Sequence, residues 1–342
     1  MAAKGSSLVT LLDVSKGPDK RIGGVAEVLV QHNSMLEDIP YMEMNEGTIH
    51  KESIRSALPQ VYYRKANQAI PASKTTTEER SFTATHFESK SEMDAAVANR
   101  GGAGKLAYNR WNQAQGHLQA HSIELANLML YGSPVQSNLK TAGFFDIYST
   151  LNPAEETSKQ IIDAGGTGSD NTSILRVNWG ERSIFGVYEA GTTYGIKRID
   201  HSEGGKQVKI NALDVNGNMG TLWGYEEDFH TDHGLVVKDF RQGARIANID
   251  VSDLISGAVG AADILDLMIS ADYKIDSKSN GTGVWYVNRT IEAALHKQAL
   301  SKVGAGSGLT YENYQGKPVL MFLGSPVRRM DALLNTEARV VA

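Results

Sequence analysis

Between Glu226 and His233 the chain reads EEDFHTDH, four carboxylates and two imidazoles within eight residues. These side chains ligate divalent metal ions and move protons in hydrolases, so catalysis is the first chemistry to weigh here. His230 and His233 stand three apart, with Asp232 between them. On a helix they would share a face. Gly234 and the apolar run behind it read instead as a strand, where residues three apart point to opposite sides. A mononuclear metal centre also needs a third ligand and hydrogen-bonded groups that orient the ligands. The stretch therefore reads as a polar corner where a strand joins a sheet, salt-bridged to a neighbouring subunit. A metal-dependent hydrolase using His230, Asp232 and His233 stands as the alternative.

Other candidate motifs fall short in specific ways. RGGAGKL, Arg100 to Leu106, resembles a phosphate-binding loop, but that loop needs a glycine where Asn99 stands and a hydroxyl residue where Leu106 stands. It reads as a hinge before a helix. IDAGGTGSDN, Ile162 to Asn171, lacks the spacing of a dinucleotide fingerprint or a calcium loop and reads as a surface loop. No Gly-x-Ser-x-Gly elbow occurs. With no cysteine, zinc-thiolate sites, iron–sulfur clusters and thiol nucleophiles are excluded. We expect no catalytic residue, metal or cofactor. Arg328 and Arg329, at a strand end, suit an acidic partner, a nucleic-acid phosphate or an ordinary ion pair.

The elements that must carry these residues are legible in the periodicity. The 342 residues are 41% hydrophobic, enough for a sizeable core and about two domains. Net charge is -5, without the basic excess of a dedicated nucleic-acid binder. The N-terminus is too weakly apolar for a secretory signal and no run is long enough to span a bilayer, so a soluble product made inside the cell is expected. Residues 1–17 read as a polar arm. Ile22 to Ile39 has helical spacing, ended by Pro40. PQVYYRK and ERSFTATHF read as the two strands of a long ribbon with little core of its own. From Thr48 to Lys90 seven basic residues face four acidic ones, a net +3 on an acidic chain. Leu106, Trp111, Ala114, Leu118, His121, Leu125, Leu128 and Met129 stripe a helix over 104–132, roughly 40 Å long. His121 there reads as a packed, hydrogen-bonded histidine. A short helix is expected around 154–162. Strands follow in SILRVNW, SIFGVY, YGIKRI, KQVKINAL, MGTLWGY and GLVVKDFRQGARIANI. After a boundary near 248–256 come a helix (AADILDLMISA), a strand (GVWYVN), a helix (NRTIEAALHKQAL) and two apolar strands joined at Gly324-Ser325.

In that order, the arm, ribbon, rod-like helix, β block and terminal α/β block resemble the major capsid proteins of tailed bacteriophages. GVWYVNRTIEAALHKQAL with YENYQGKPVLMFLGSPVRRMDALLNTEARVV is similar to the strand–helix–hairpin core of that family's axial domain. LPQVYYRKANQAIPASKTTTEE looks like its extended loop, and GKLAYNRWNQAQGHLQAHSIELANLMLYG like its spine helix. The resemblance implies an α+β, HK-97-type capsid fold with permuted strand order. It divides the chain into an N-terminal arm and helix over 1–43, an extended β-hairpin loop over 44–90, a peripheral domain over 91–250 with spine helix 104–132, and an axial α/β domain over 251–342. It implies a head protein that self-assembles into pentamers and hexamers, forming an icosahedral shell around double-stranded DNA contacted non-specifically. Scaffolding and portal proteins are implied partners and a decoration protein is compatible. No membrane is involved, and assembly would take place in the host cytoplasm. Another kind of virion structural protein is the nearest rival. The implied subunit-interface candidates are Arg64, Lys65, Lys74, Glu78, Glu79, Arg80, His230, Asp232, His233, Arg328 and Arg329.

Overall fold

The computed structural model describes residues 33–100, 105–192, 194–202, 205–214, 216–257, 262–301, 309–314 and 317–342. The expected arm, and all but the end of the helix expected over 22–39, lie outside them. Helix α1 (Met35–Asp38) ends at Ile39, and strand β1 (Tyr41–Glu43) follows Pro40. The ribbon is β2 (Ile49–Ala57) and β3 (Thr76–Thr83). Next come β4 (Thr85–Asp94), α2 (Ala95–Ala98), α3 (Leu106–Tyr131) and α4 (Phe144–Ile147). The β block runs β5 (Ile161–Asp163), β6 (Asn171–Trp179), β7 (Ile184–Tyr188), β8 (Lys197–Asp200), β9 (Val208–Leu213), β10 (Met219–Val237) and β11 (Gly243–Asp250). The chain closes with α5 (Val251–Ser256), α6 (Ile264–Asp272), β12 (Thr282–Val287), α7 (Arg289–Ser301), β13 (Leu309–Tyr314), β14 (Lys317–Phe322) and β15 (Ser325–Arg329).

These elements form two compact units. The first takes His86–Leu125 and Tyr194–Asp232; the second takes 33–85, 126–192 and 233–342. In the second unit β6 is the organising strand. It pairs antiparallel with β11 and β12, β12 continues parallel to β15, and β14 and β13 extend the sheet by hairpins. Every residue of β6 is buried. Its alternation sends Leu175, Val177 and Trp179 to a core with Phe144, Tyr148 and Tyr286. Ile174 goes to the other face, where α6 and α7 bring Ile264, Met268, Ile291 and Leu295. Arg176 also lies on that second face. Burial lowers its pKa, and it is held by Asp272 at 3.3 Å, by Ser325 at 2.9 Å and by the Trp285 ring.

Four sequence expectations need correction. PQVYYRK forms no strand; the ribbon's strands lie outside it, in the polar runs Ile49–Ala57 and Thr76–Thr83. The short helix near 154–162 is a 3-10 turn over Glu156–Gln160 that runs into β5. The terminal hairpin turns on Leu323-Gly324, with φ of 47° and 77°, because Phe322 pairs with Ser325. The polar stretch Glu226–His233 is not a corner: it is the interior of β10, a 19-residue strand. Asp250 ends β11 and caps α5 through Asp253 N at 3.0 Å.

Candidate subunit interface

Along β10 the residues of EEDFHTDH alternate, as a strand requires. Glu227, Phe229, Thr231 and His233 are buried; Glu226, Asp228, His230 and Asp232 are half-exposed. Three of the four buried side chains are polar, and each has a different answer to the cost of burial. Within the first unit, Glu227 is clamped by Arg110 of α3 through Nε at 2.6 Å and by Arg198 of β8 through two bonds of 2.8 Å. Thr231 bonds His121 Nδ1 at 2.8 Å. Nε2 of His121 reaches Ser89 Oγ at 2.9 Å, and Ser89 reaches His117 Nδ1 at 2.8 Å. His117 stacks on Phe229 with ring centres 5.0 Å apart. Burial holds the pKa of both His117 and His121 down, so the relay is neutral. His121 is thus the hydrogen-bonded core histidine that its place on the helix stripe suggested. In the second unit His233 is fully enclosed beside Met129 and Tyr41, and burial pushes its pKa down to about 3.

The half-exposed face of this strand is an ion-pair ladder within the first unit. Lys90 bonds Glu226 at 2.6 Å and lies 3.6 Å from Asp228. His201 meets Asp228 at 2.7 Å. Asp232 bonds His86 Nδ1 at 2.6 Å and Lys197 at 3.1 Å. His230 lies 3.8 Å from Glu88. The hydrolase constellation does not form: His230 lies on the half-exposed face and His233 on the buried one. Arg328 and Arg329 also have partners in their own chain, Arg328 with Glu37 and Asp38 and Arg329 with Asp331.

The ribbon behaves differently. Its base is fixed in the second unit: His50 is buried edge-on to Phe185, and Glu52 bonds Lys238 at 2.8 Å. Beyond that base β3 is almost wholly exposed, as is the distal half of β2. Arg64, Lys65, Lys74, Glu78, Glu79 and Arg80 all lie exposed along it. The connection over 58–75 displays Leu58 (73% exposed), Val61 (89%), Tyr63 and Ile70. Its shape comes from polar bonds, Lys65 N to Gln68 Oε1 at 3.1 Å and Ser73 Oγ to Gln60 O at 3.0 Å, with Asn67 at φ 65° in the turn. A two-stranded ribbon on its own is marginal in water, and a set of exposed apolar side chains marks a surface meant to be covered.

A mixed α+β chain with a long, exposed, charged ribbon and uncovered apolar residues fits a shell-building subunit of the HK-97-type capsid class. The profile of the family described as "Major capsid protein GP7" matches residues 17–341, and the chain belongs to that family. Among solved structures, a chain of bacteriophage epsilon15, determined at near-atomic resolution, is 33% identical over the whole of both chains, with a TM-score of 0.75. The capsid of bacteriophage JBD30 is 9% identical, over 90% of this chain and 93% of that one, with a TM-score of 0.49. No curated protein sequence matches. The chain is accordingly a structural protein of a phage capsid, a virion component that self-assembles into the shell. Among the described residues no helix is long and apolar enough to cross a membrane.

The sequence reading missed His86, Glu88, Arg110, His117 and Arg198. Three of them carried a usable signal: His117 is four from His121 on a clear helix, and His86 and Glu88 are two apart on a strand. Arg110 and Arg198 meet Glu227 only through the tertiary fold.

Proposed function

We propose that the ribbon over 44–90 is the extended loop that lies on a neighbouring copy, and that its contacts build pentamers and hexamers of an icosahedral shell around double-stranded DNA. The observation that carries this is the ribbon's exposure: anchored at His50 and Glu52, it presents Val61, Tyr63 and Ile70 with Arg64, Lys65 and Lys74 to solvent. Such head-to-tail contacts are heterologous, and ring geometry closes them. Each contact can be weak because every subunit engages several neighbours at once. Glu78, Glu79 and Arg80 belong to the same interface. Residues 1–17 serve as the arm to another copy. The first unit, with α3 as spine, takes the peripheral role and the sheet of the second unit the axial one; β6 and β11 go with the axial sheet because they hydrogen-bond β12 or its neighbour.

In this reading the subunit has no catalytic activity. It assembles in the host cytoplasm with scaffolding and portal proteins, is compatible with a decoration protein, and meets packaged DNA without sequence preference; the negative net charge keeps phosphate contacts weak. The test is the triple variant Val61→Ser, Tyr63→Ser, Ile70→Ser. These side chains are exposed, so its thermal midpoint should match the parent's, while electron microscopy should show no closed shells. Normal particles from this variant would refute the role of the ribbon.

A further inference from the structure

We infer that His86, Glu88 and His230 form a binding site for a divalent transition-metal ion, zinc being the natural occupant, on the half-exposed side of β4 and β10. One donor atom from each residue lies within 4.8 Å of the other two. His86 Nε2 is 3.7 Å from Glu88 Oε2, and His230 Nδ1 is 3.8 Å from the same oxygen. A tetrahedral ion with bonds of about 2.0–2.1 Å holds its donors roughly 3.4 Å apart, so small side-chain rotations complete the geometry. The arrangement follows from the pleat. His86 and Glu88, two apart on β4, share a face, and β10 is the neighbouring strand that supplies His230.

Two details separate this cluster from a chance gathering of polar side chains. The Asp232 carboxylate accepts from His86 Nδ1 at 2.6 Å. That leaves Nε2 as the ring nitrogen facing Glu88, 3.7 Å from Oε2, in the carboxylate–histidine–metal arrangement that orients a ligand ring. The second detail is His230 Nδ1, a buried nitrogen with no hydrogen-bond partner, facing the same carboxylate. A bound cation gives that atom a partner. Lys197 sits on the far oxygen of Asp232, so two carboxylates, Glu88 and Asp232, face one lysine, a surrounding that favours a cation. Two imidazoles and one carboxylate select zinc, nickel or copper over magnesium or calcium. The neighbouring group of His201, Glu226 and Asp228 offers one imidazole, and Lys90 already occupies its carboxylates. The ion would tie β4 to β10 and leave a fourth position to water.

The experiment uses the tag-free full-length chain, stripped with chelator, dialysed against zinc and assayed for zinc per chain. A cobalt-loaded sample reports geometry through the visible absorption of the tetrahedral ion. One zinc per chain is expected for the parent and for His201→Ala. The double variant His86→Ala, His230→Ala should bind at least tenfold more weakly and lose the cobalt spectrum. Glu88→Gln keeps the side-chain shape and should also weaken binding, which scores the site even if the double variant folds poorly. Absence of zinc from the parent, or equal zinc in the parent and the Glu88→Gln chain, would overturn the assignment. The assay reads the soluble chain, so its outcome is independent of shell formation.

Discussion

His233 has no place in the hydrolase reading, but it is a handle on acid stability. Burial alone holds its pKa near 3, against about 6.5 for an exposed histidine. Its folded-state pKa is the lower one, so the stability it contributes is fully present above pH 6.5. That stability is lost as pH falls, because the unfolded chain takes up a proton that the folded chain refuses. The slope is about 1.4 kcal/mol per pH unit for each such histidine. His117 and His121 are shifted in the same direction by burial in the first unit. His86 is shifted the opposite way by its bond to Asp232, and its smaller, solvent-screened contribution fades as pH rises. The clean variant is His233→Leu. The ring's Nδ1 has no hydrogen-bond partner and its neighbours include Met129 and Tyr41, so an apolar side chain of similar size removes a buried polar atom. The variant should match or exceed the parent's melting midpoint at pH 7 and lose distinctly less of it at pH 5. An identical loss in both proteins would show that His233 is not part of the acid response.

Among the elements, those with a pure signal were read correctly and those with a mixed one were not. Helix α3 showed its 3.6-residue stripe over seven turns, and the structure bounds it at Leu106 and Tyr131. β6, β7 and β12 are apolar runs of strand length and appear where expected. β10 was split in two because the inward residues of its middle are Glu227, Thr231 and His233, so the apolar–polar alternation that announces a strand is missing. What permits that pattern is Arg110, Arg198 and His121, which arrive from other elements and are invisible to local reading. The ribbon misled in the reverse sense. PQVYYRK has strand composition, yet Val61 and Tyr63 stand exposed, uncovered by the described residues. The terminal hairpin yields a prediction at this scale. Its two-residue turn needs left-handed backbone at both positions, and Leu323 at φ 47° is a poor occupant beside Gly324. Leu323→Asn creates the Asn-Gly pair that such turns favour. It should stabilise the chain by about 1 kcal/mol, read as a melting midpoint raised by roughly 2 °C.

For the whole molecule, the question in the proposed assembly is which force acts through the ribbon, since the same segment carries apolar and basic side chains. The two respond oppositely to salt. The ribbon region is net +3 on a chain of net charge -5, so it should be drawn to the body of a neighbour at low ionic strength. That attraction shortens in range from roughly 10 Å at 0.1 M salt to about 3 Å at 1 M. Apolar burial by Val61, Tyr63 and Ile70 does not weaken over that range. In the proposed assembly charge should therefore govern how fast copies meet and in what register, while the apolar tip should govern whether they stay. The variant Arg64→Glu, Lys65→Glu, Lys74→Glu should slow shell formation about tenfold or more in 0.1 M salt, measured by light scattering. In 1 M salt its rate should approach the parent's. The apolar triple variant should fail at both concentrations. If the charge-reversed chain assembled at the parent's rate in dilute salt, the basic residues would have no steering role, and the ribbon would work through its apolar tip alone.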